Sequence, residues 1–437
     1  MAGLCAARVL SDGFERVVVV ERDEFPDEPA ARDGAPQTSH PHALLEAGRA
    51  TLEDFFPGLG EDLLSEGGLI IDALSDIKWY DEGGFLADGL ERSPMYSASR
   101  PLLEHVVRRR VRALENVELR DGCRFRAYLS DAGAERITGI TFRDERGEER
   151  QLKVDLVVDA TGRTSRTPRW LERHGYDPPP VDRVNVDVDY STTRIDRPPE
   201  DRRLLFVPPS APRIRGAFFV PIEDDQWEVL LQGIHDGETP SDLDGFAEFL
   251  ESLPVPELSE IFRARSPTTG TVHRYPFPFN LRRRYGDLDR FPDGLVVTGD
   301  AIASFNPIYG QGMSVGALDA LLLHHALADG GREGLAARYF DRVGDVVDAV
   351  WRLAVGRDFA FERTTGPRPR GIDLADRYLS RLLRQAHTDP VLREALTRVL
   401  ILERTASTLL APAIVWRVLR PAGRGTLWRS FVGPTDR

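Results

Sequence analysis

Cysteine and lysine are nearly absent from this 437-residue chain. Cys5 and Cys123 are the two cysteines, too few for a disulfide scaffold or a cysteine-rich zinc site, and they point to a reducing cytoplasm. Lys78 and Lys153 are the two lysines, so 55 of the 57 basic residues are arginine. Any mechanism that needs a catalytic lysine therefore has two candidates. Long apolar runs are missing as well. The longest candidate, Leu409 to Trp416, is interrupted by Pro412 and falls short of the roughly 18 residues of a membrane span. The opening residues lack the basic start and long apolar stretch of a secretory signal. We read neither a Gly-x-Ser-x-Gly nucleophile elbow nor a His-Glu-x-x-His zinc motif. Positive charge is in the minority, with a formal net charge of −13, which argues against a non-specific nucleic-acid binder. The 41% hydrophobic content excludes a disordered chain, and the length exceeds one simple core. Two intimately joined domains are expected.

Ala2 to Leu10 reads as a helix of small and apolar residues, and Arg16 to Glu21 as a fully buried parallel strand. A loop over 22–42 leads to a helix expected from His42 to Phe55. A second helix is expected from Leu102 to Leu114, and three short strands follow, separated by turns at Asp121-Gly122, Asp131-Ala132-Gly133 and Glu145-Arg146-Gly147. Val154 to Asp159 reads as a second buried parallel strand. Alternating segments from Val181 to Val272 predict an antiparallel sheet, with a helix near Leu243 to Leu253. Gly294 to Asp300 returns as a buried strand, and the remainder is mostly helical. The expected architecture is an α/β nucleotide-binding domain threaded through an antiparallel sheet.

Three places carry candidate chemistry. Glu21, at a strand tip, is placed to accept hydrogen bonds from ribose hydroxyls or to be a solvated strand-end carboxylate. Thr161-Gly162 follows a strand in a small-residue turn, with Arg163 and Arg166 as candidate phosphate contacts. The third signal is Gly299-Asp300-Ala301, followed by Asn306-Pro307-Ile308-Tyr309-Gly310-Gln311-Gly312-Met313. There a buried strand ends in Asp, and a Gly-x-Gly turn opens a long helix whose free N–H groups favour negative charge. His40 and His42 lack a nearby third ligand, so they are read as a solvated or cofactor-lining loop and no metal is expected. Phe218, Phe219, Trp227, Tyr275, Phe277, Phe279 and Phe305 are candidate apolar pocket walls.

With these motifs in view, the sequence resembles the FAD-dependent monooxygenases related to aromatic-ring hydroxylases. It is more closely similar to the actinobacterial flavin epoxidases that oxidise polyketide alkenes. The segments carrying the resemblance are Val19 to Asp23, Pro36 to Leu45, Ser99 to Glu104, Asp159 to Arg163 and Gly299 to Met313. It implies a Rossmann-like parallel FAD-binding sheet, an antiparallel substrate domain and C-terminal helices. Boundaries are expected at 1–75, 99–180 and 286–330 for the FAD-binding parts, 76–98 and 181–285 for the substrate domain, and 331–437 for the helical region. Glu21 is implied to bind the adenosine ribose, Arg100 the FAD phosphates or ribityl chain, and Asp300 the ribityl chain. Gly310, Gln311, Gly312 and Met313 are implied at the pyrimidine edge, and Arg22, Thr161, Gly162 and Pro307 complete the cofactor contacts.

The activity implied is insertion of one oxygen atom from O2 into a lipophilic, secondary-metabolite-like small molecule through a flavin hydroperoxide. NADPH or NADH is the implied reductant, direct or through a flavin reductase. No catalytic side chain is assigned, because the chemistry belongs to the cofactor. Thr161-Gly162 stands where the hydroxylases carry Asp-Gly, which puts direct NADPH use in question. The chain also opens on residues resembling those just after the family's first strand and Gly-x-Gly turn, so Met1 is expected to be internal to a longer reading frame. A flavin-dependent halogenase, which needs a tunnel lysine and a Trp-x-Trp-x-Ile-Pro motif, and a non-catalytic lipophile binder are the alternatives.

Overall fold

A computed structural model of the chain describes residues 1–420. The expected C-terminal helical region therefore lies outside the described residues over 421–437. The fold is mixed α/β. One layer holds two parallel strand pairs, Val17–Val20 with Val117–Arg120 and Val157–Asp159 with Leu295–Val297. No backbone hydrogen bond joins the two pairs among the described residues. The helix Ala2–Ser11 lies against this layer and the helix Gly312–Gly330. Its small residues permit that approach: a Cβ on Gly316 would lie 3.2 Å from Ala2 Cβ, and one on Gly3 the same distance from Ala160.

The second layer is an eight-stranded sheet. Its order is Ala303–Ser304, His273–Arg283, Val181–Asp196, Gln226–Ile234, Arg215–Ile222, Leu204–Val207, Ile77–Asp81 and Gly84–Phe85. Strand alternation sends two sets of side chains to opposite faces. Phe219, Trp227, Val229 and Leu231 pack on the helices Leu243–Glu251 and Pro256–Ala264. Tyr190, Phe218, Leu230 and Phe277 join the core shared with the parallel layer. Burial of each large apolar side chain here stabilises by about 1.5–3 kcal/mol. The edge strand Ala303–Ser304 comes directly after Gly299–Ala301, so the most informative sequence motif sits where the two layers meet.

Several expectations are corrected. The strands between Val181 and Val272 pair antiparallel as expected, but the large sheet as a whole is mixed, because Leu204–Val207 also pairs parallel with Ile77–Asp81. The first parallel strand is half-buried over Val18 to Val20. The helix expected from His42 starts at Glu46, since Leu45 is extended and donates its N–H to Ser314 Oγ at 3.1 Å. The helix expected from Leu102 starts at Arg100, capped by Ser99, whose side chain accepts from the Leu102 N–H. Ala406 to Leu419 divides at Pro412, which has no N–H to continue a helix. No described helix is long and apolar enough to cross a membrane.

Candidate functional site

The tips of Val157–Asp159 and Leu295–Val297 bring Gly162 and Asp300 together, and this region is the candidate cofactor cleft. Asp159 fixes one wall: its carboxylate accepts from Thr161 N–H at 2.9 Å, Thr161 Oγ1 at 2.5 Å, Ser165 Oγ at 2.6 Å and Thr167 Oγ1 at 2.5 Å. Thr161 is exposed, but its hydroxyl is held by Asp159. Gly162, at φ 77°, faces Asp300: a Cβ there would stand 3.9 Å from Asp300 Cβ. Asp300 is reachable by solvent, yet the surrounding protein desolvates its carboxyl and raises its pKa, with Arg163 pulling the other way.

Further along the chain come the turn Pro307–Tyr309, then Gly310 at φ 64° and the start of the helix Gly312–Gly330. A Cβ on Gly310 would come within 2.8 Å of Ala43 Cβ, whereas one on Gly312 meets nothing within 4 Å. The first helical position, Gly312, is therefore unobstructed on its Cβ side, and a helix start carries unpaired N–H groups and partial positive charge. Pro307 and Gly312 are exposed there, while Gln311 and Met313 are buried, and Gln311 Oε1 has no partner.

Arg100 is buried with Nη2 3.4 Å from Glu104 and Nη1 unpartnered. Glu104 also meets Arg32 at 2.8 Å and Arg108 at 3.5 Å. Burial works to raise its pKa, but Arg100, the Met1 ammonium, Arg32 and Arg108 hold it below the ordinary value. Three guanidinium groups converge on this one buried carboxylate. Glu21 accepts from Arg22 N–H at 2.7 Å and approaches Arg32 at 3.3 Å. The exposed Arg22 side chain donates to the Gly34 carbonyl. An orphaned interior arginine, a desolvated carboxylate for hydroxyl partners, and an unobstructed helix N-terminus suit a long, anionic, hydroxylated group such as FAD.

Other residues take roles the sequence did not indicate. Arg163 is engaged within the protein: it donates to Ser304 Oγ at 2.9 Å and the Phe279 carbonyl at 3.0 Å, lying over the Phe277 ring. Arg166 is exposed and reaches the Arg126 carbonyl. Phe219 and Trp227 face away from the cleft, and Phe305 packs on Trp351. His40 is buried rather than solvated: its Nδ1 is 2.7 Å from Thr192 Oγ1 and its ring is 5.7 Å from Tyr275. Burial pushes His40 down to about 4 and His42 to about 3, so both are neutral near pH 7. Gly312-Met313-Ser314-Val315-Gly316 does match the nucleophile-elbow spacing that we read as missing. Ser314 is nevertheless fully buried, and its Oγ accepts from Leu45 N–H.

The architecture is that of FAD-dependent monooxygenases and flavin-dependent halogenases. PqsL, a probable FAD-dependent monooxygenase from Pseudomonas aeruginosa, matches with a TM-score of 0.64 at 22% identity, over 83% of this chain and 94% of its own. The flavin-dependent brominase Bmp2 matches with a TM-score of 0.63 at 18% identity, over 91% and 90%. No family model matches the sequence. Protein Rv3254 of Mycobacterium tuberculosis is 33% identical over 414 residues, 90% of this chain and 86% of that protein. The chain belongs to the same family as Rv3254.

Proposed function

We propose that the chain is an FAD-dependent monooxygenase that inserts one oxygen atom from O2 into a lipophilic small molecule, by hydroxylation or epoxidation. The observation that carries this reading is the unpartnered Nη1 of buried Arg100, which lies close enough to Asp300 for the two charges to interact. When bound, FAD supplies reducing equivalents to O2 and transfers the oxygen atom. Arg100 meets an anionic part of the cofactor, Asp300 accepts from its hydroxyls, and the helix N-terminus stabilises negative charge that develops beside it. Tyr275, Phe277, Phe218 and Leu230, on the sheet face toward the parallel layer, exclude water from the reacting centre. NADPH or NADH provides the electrons, directly or through a flavin reductase.

The likeness to the brominase fold keeps one other reaction in view, halogenation. Against it, Lys78 pairs with Asp88 at the surface and Lys153 is exposed at the end of the strand Glu149–Lys153, so neither supplies a buried tunnel amine. The test is the purified protein with FAD, NADPH or NADH, and a panel of apolar alkenes and phenols, with and without bromide. Oxygenated products labelled from 18O2 support the proposal. Halogenated products, or a protein that does not retain FAD, overturn it.

A further inference from the structure

A buried polar network lies behind the cleft-side turn. Asp358 ends the helix Leu335–Asp358 and is 1% exposed. Its Oδ2 accepts from Asn280 Nδ2 at 2.7 Å, and its Oδ1 accepts from Asn306 Nδ2 and Tyr309 Oη, both at 3.0 Å. Asn280 Oδ1 accepts the Asn306 backbone N–H at 2.6 Å. Asn306 Oδ1 accepts Tyr190 Oη at 2.5 Å and the Ile308 N–H at 3.3 Å. Among the described residues no arginine or lysine pairs with Asp358; the neighbouring Arg357 turns to Asp81 at 3.3 Å and Asp376 at 3.7 Å.

A carboxylate only accepts, whereas an amide both donates and accepts. Asp358 therefore fixes the orientation of two amides at once. Because both NH2 groups point at it, both amide oxygens point outward, one to the Asn306 N–H and the other to Tyr190 and Ile308. A buried anion compensated by neutral donors alone is costly to maintain. An asparagine in its place sets its NH2 group against that of Asn280 or that of Asn306 and leaves donors unmet. The acid thus imposes a single polarity on the whole chain of hydrogen bonds, and with it one shape for the turn leading to Gly310.

We propose that Asp358 is a positioning residue for the cleft: by orienting Asn280 and Asn306 it holds the turn Asn306–Gly310, and so the start of the Gly312–Gly330 helix, in the shape that receives the cofactor. This rests on the FAD reading above. It also ties the helix Leu335–Asp358 to the cofactor site, although no side chain of that helix need touch the cofactor.

The test compares wild type, Asp358→Asn, and the swap variant Asp358→Asn with Asn280→Asp. In the swap, the new carboxylate at 280 accepts from the Asn306 N–H and the new amide at 358, whose oxygen still accepts from Asn306 and Tyr309. The readouts are amide hydrogen exchange of peptides spanning 303–314 in the FAD-free protein, and the dissociation constant and visible spectrum of added FAD. For Asp358→Asn we expect about tenfold faster exchange confined to that segment and about tenfold weaker FAD binding, with the swap recovering most of both. Unchanged exchange in Asp358→Asn, or a swap no better than the single variant, overturns the proposal. Faster exchange with unaltered FAD affinity and spectrum overturns it too. If wild type binds no FAD, the functional reading falls; exchange that rises in the single variant and recovers in the swap still supports Asp358's hold on the turn, and any other pattern overturns it.

Discussion

Arg100 and Glu104 stand one helical turn apart and meet at 3.4 Å, yet the second terminal nitrogen of Arg100 has no partner inside the protein. A buried guanidinium N–H left unmet costs about 1–3 kcal/mol, a cost that an anionic ligand removes. Arg100→Met therefore weakens FAD binding by about 100-fold, near 2.7 kcal/mol. The FAD-free melting temperature should be held or raised, because Glu104 keeps Arg32 and Arg108. Fluorescence titration with FAD beside a thermal melt checks both halves. A variant that melts lower but binds FAD normally would make Arg100 purely structural.

Gly310 and Gly312 separate backbone demand from ligand space. Gly310→Ala places a Cβ against Ala43 at a left-handed φ, and is expected to destabilise by about 1–3 kcal/mol. Gly312→Leu meets no protein atom close to its Cβ, so its stability stays near wild type while FAD binding is blocked. Denaturant unfolding paired with a flavin-binding assay distinguishes the two. Equal effects of both variants on folding would contradict this division.

Asp319 provides a pH test. It is fully buried, its Oδ2 accepts the Gly299 N–H at 2.9 Å, and its Oδ1 has no partner. Burial pushes its carboxyl up to about 7 from an ordinary value of 3.8. A group whose pKa is higher folded than unfolded adds stability below the unfolded value and loses it as pH rises through the folded value. Asp319→Asn removes this dependence. The variant should exceed wild type by roughly 1–3 kcal/mol at pH 8, and the gap should close as pH falls from 7 toward 4. Urea midpoints across that range measure it, and a pH-independent gap would remove the ionisation argument.

The parts of the site legible in the sequence were those whose chemistry is local. Asp300 at a strand end and Gly310 before a long helix are marked by neighbours within a few residues. Phe218 and Phe219 were read together as pocket walls, but they face opposite sides of the sheet, and which face meets the parallel layer depends on pairings far along the chain. Arg163 follows a phosphate-like turn, and only the packed sheet shows it engaged with Ser304 and Phe279. Asp358 was invisible for the same reason: Asn280, Asn306 and Tyr309 lie 78, 52 and 49 residues away in sequence. Its signal is a lone acid at the end of a helix, which ordinarily reads as surface.

The central claim is that the cleft between Thr161-Gly162, Asp300 and Gly310–Gly312 holds FAD. Its most direct test is the visible absorption spectrum of the protein after mixing with FAD and gel filtration, with Gly312→Leu run alongside. Near-stoichiometric flavin bands are expected with the wild-type protein and none with the folded variant. A colourless wild-type protein, or flavin retained equally by both, would contradict the claim.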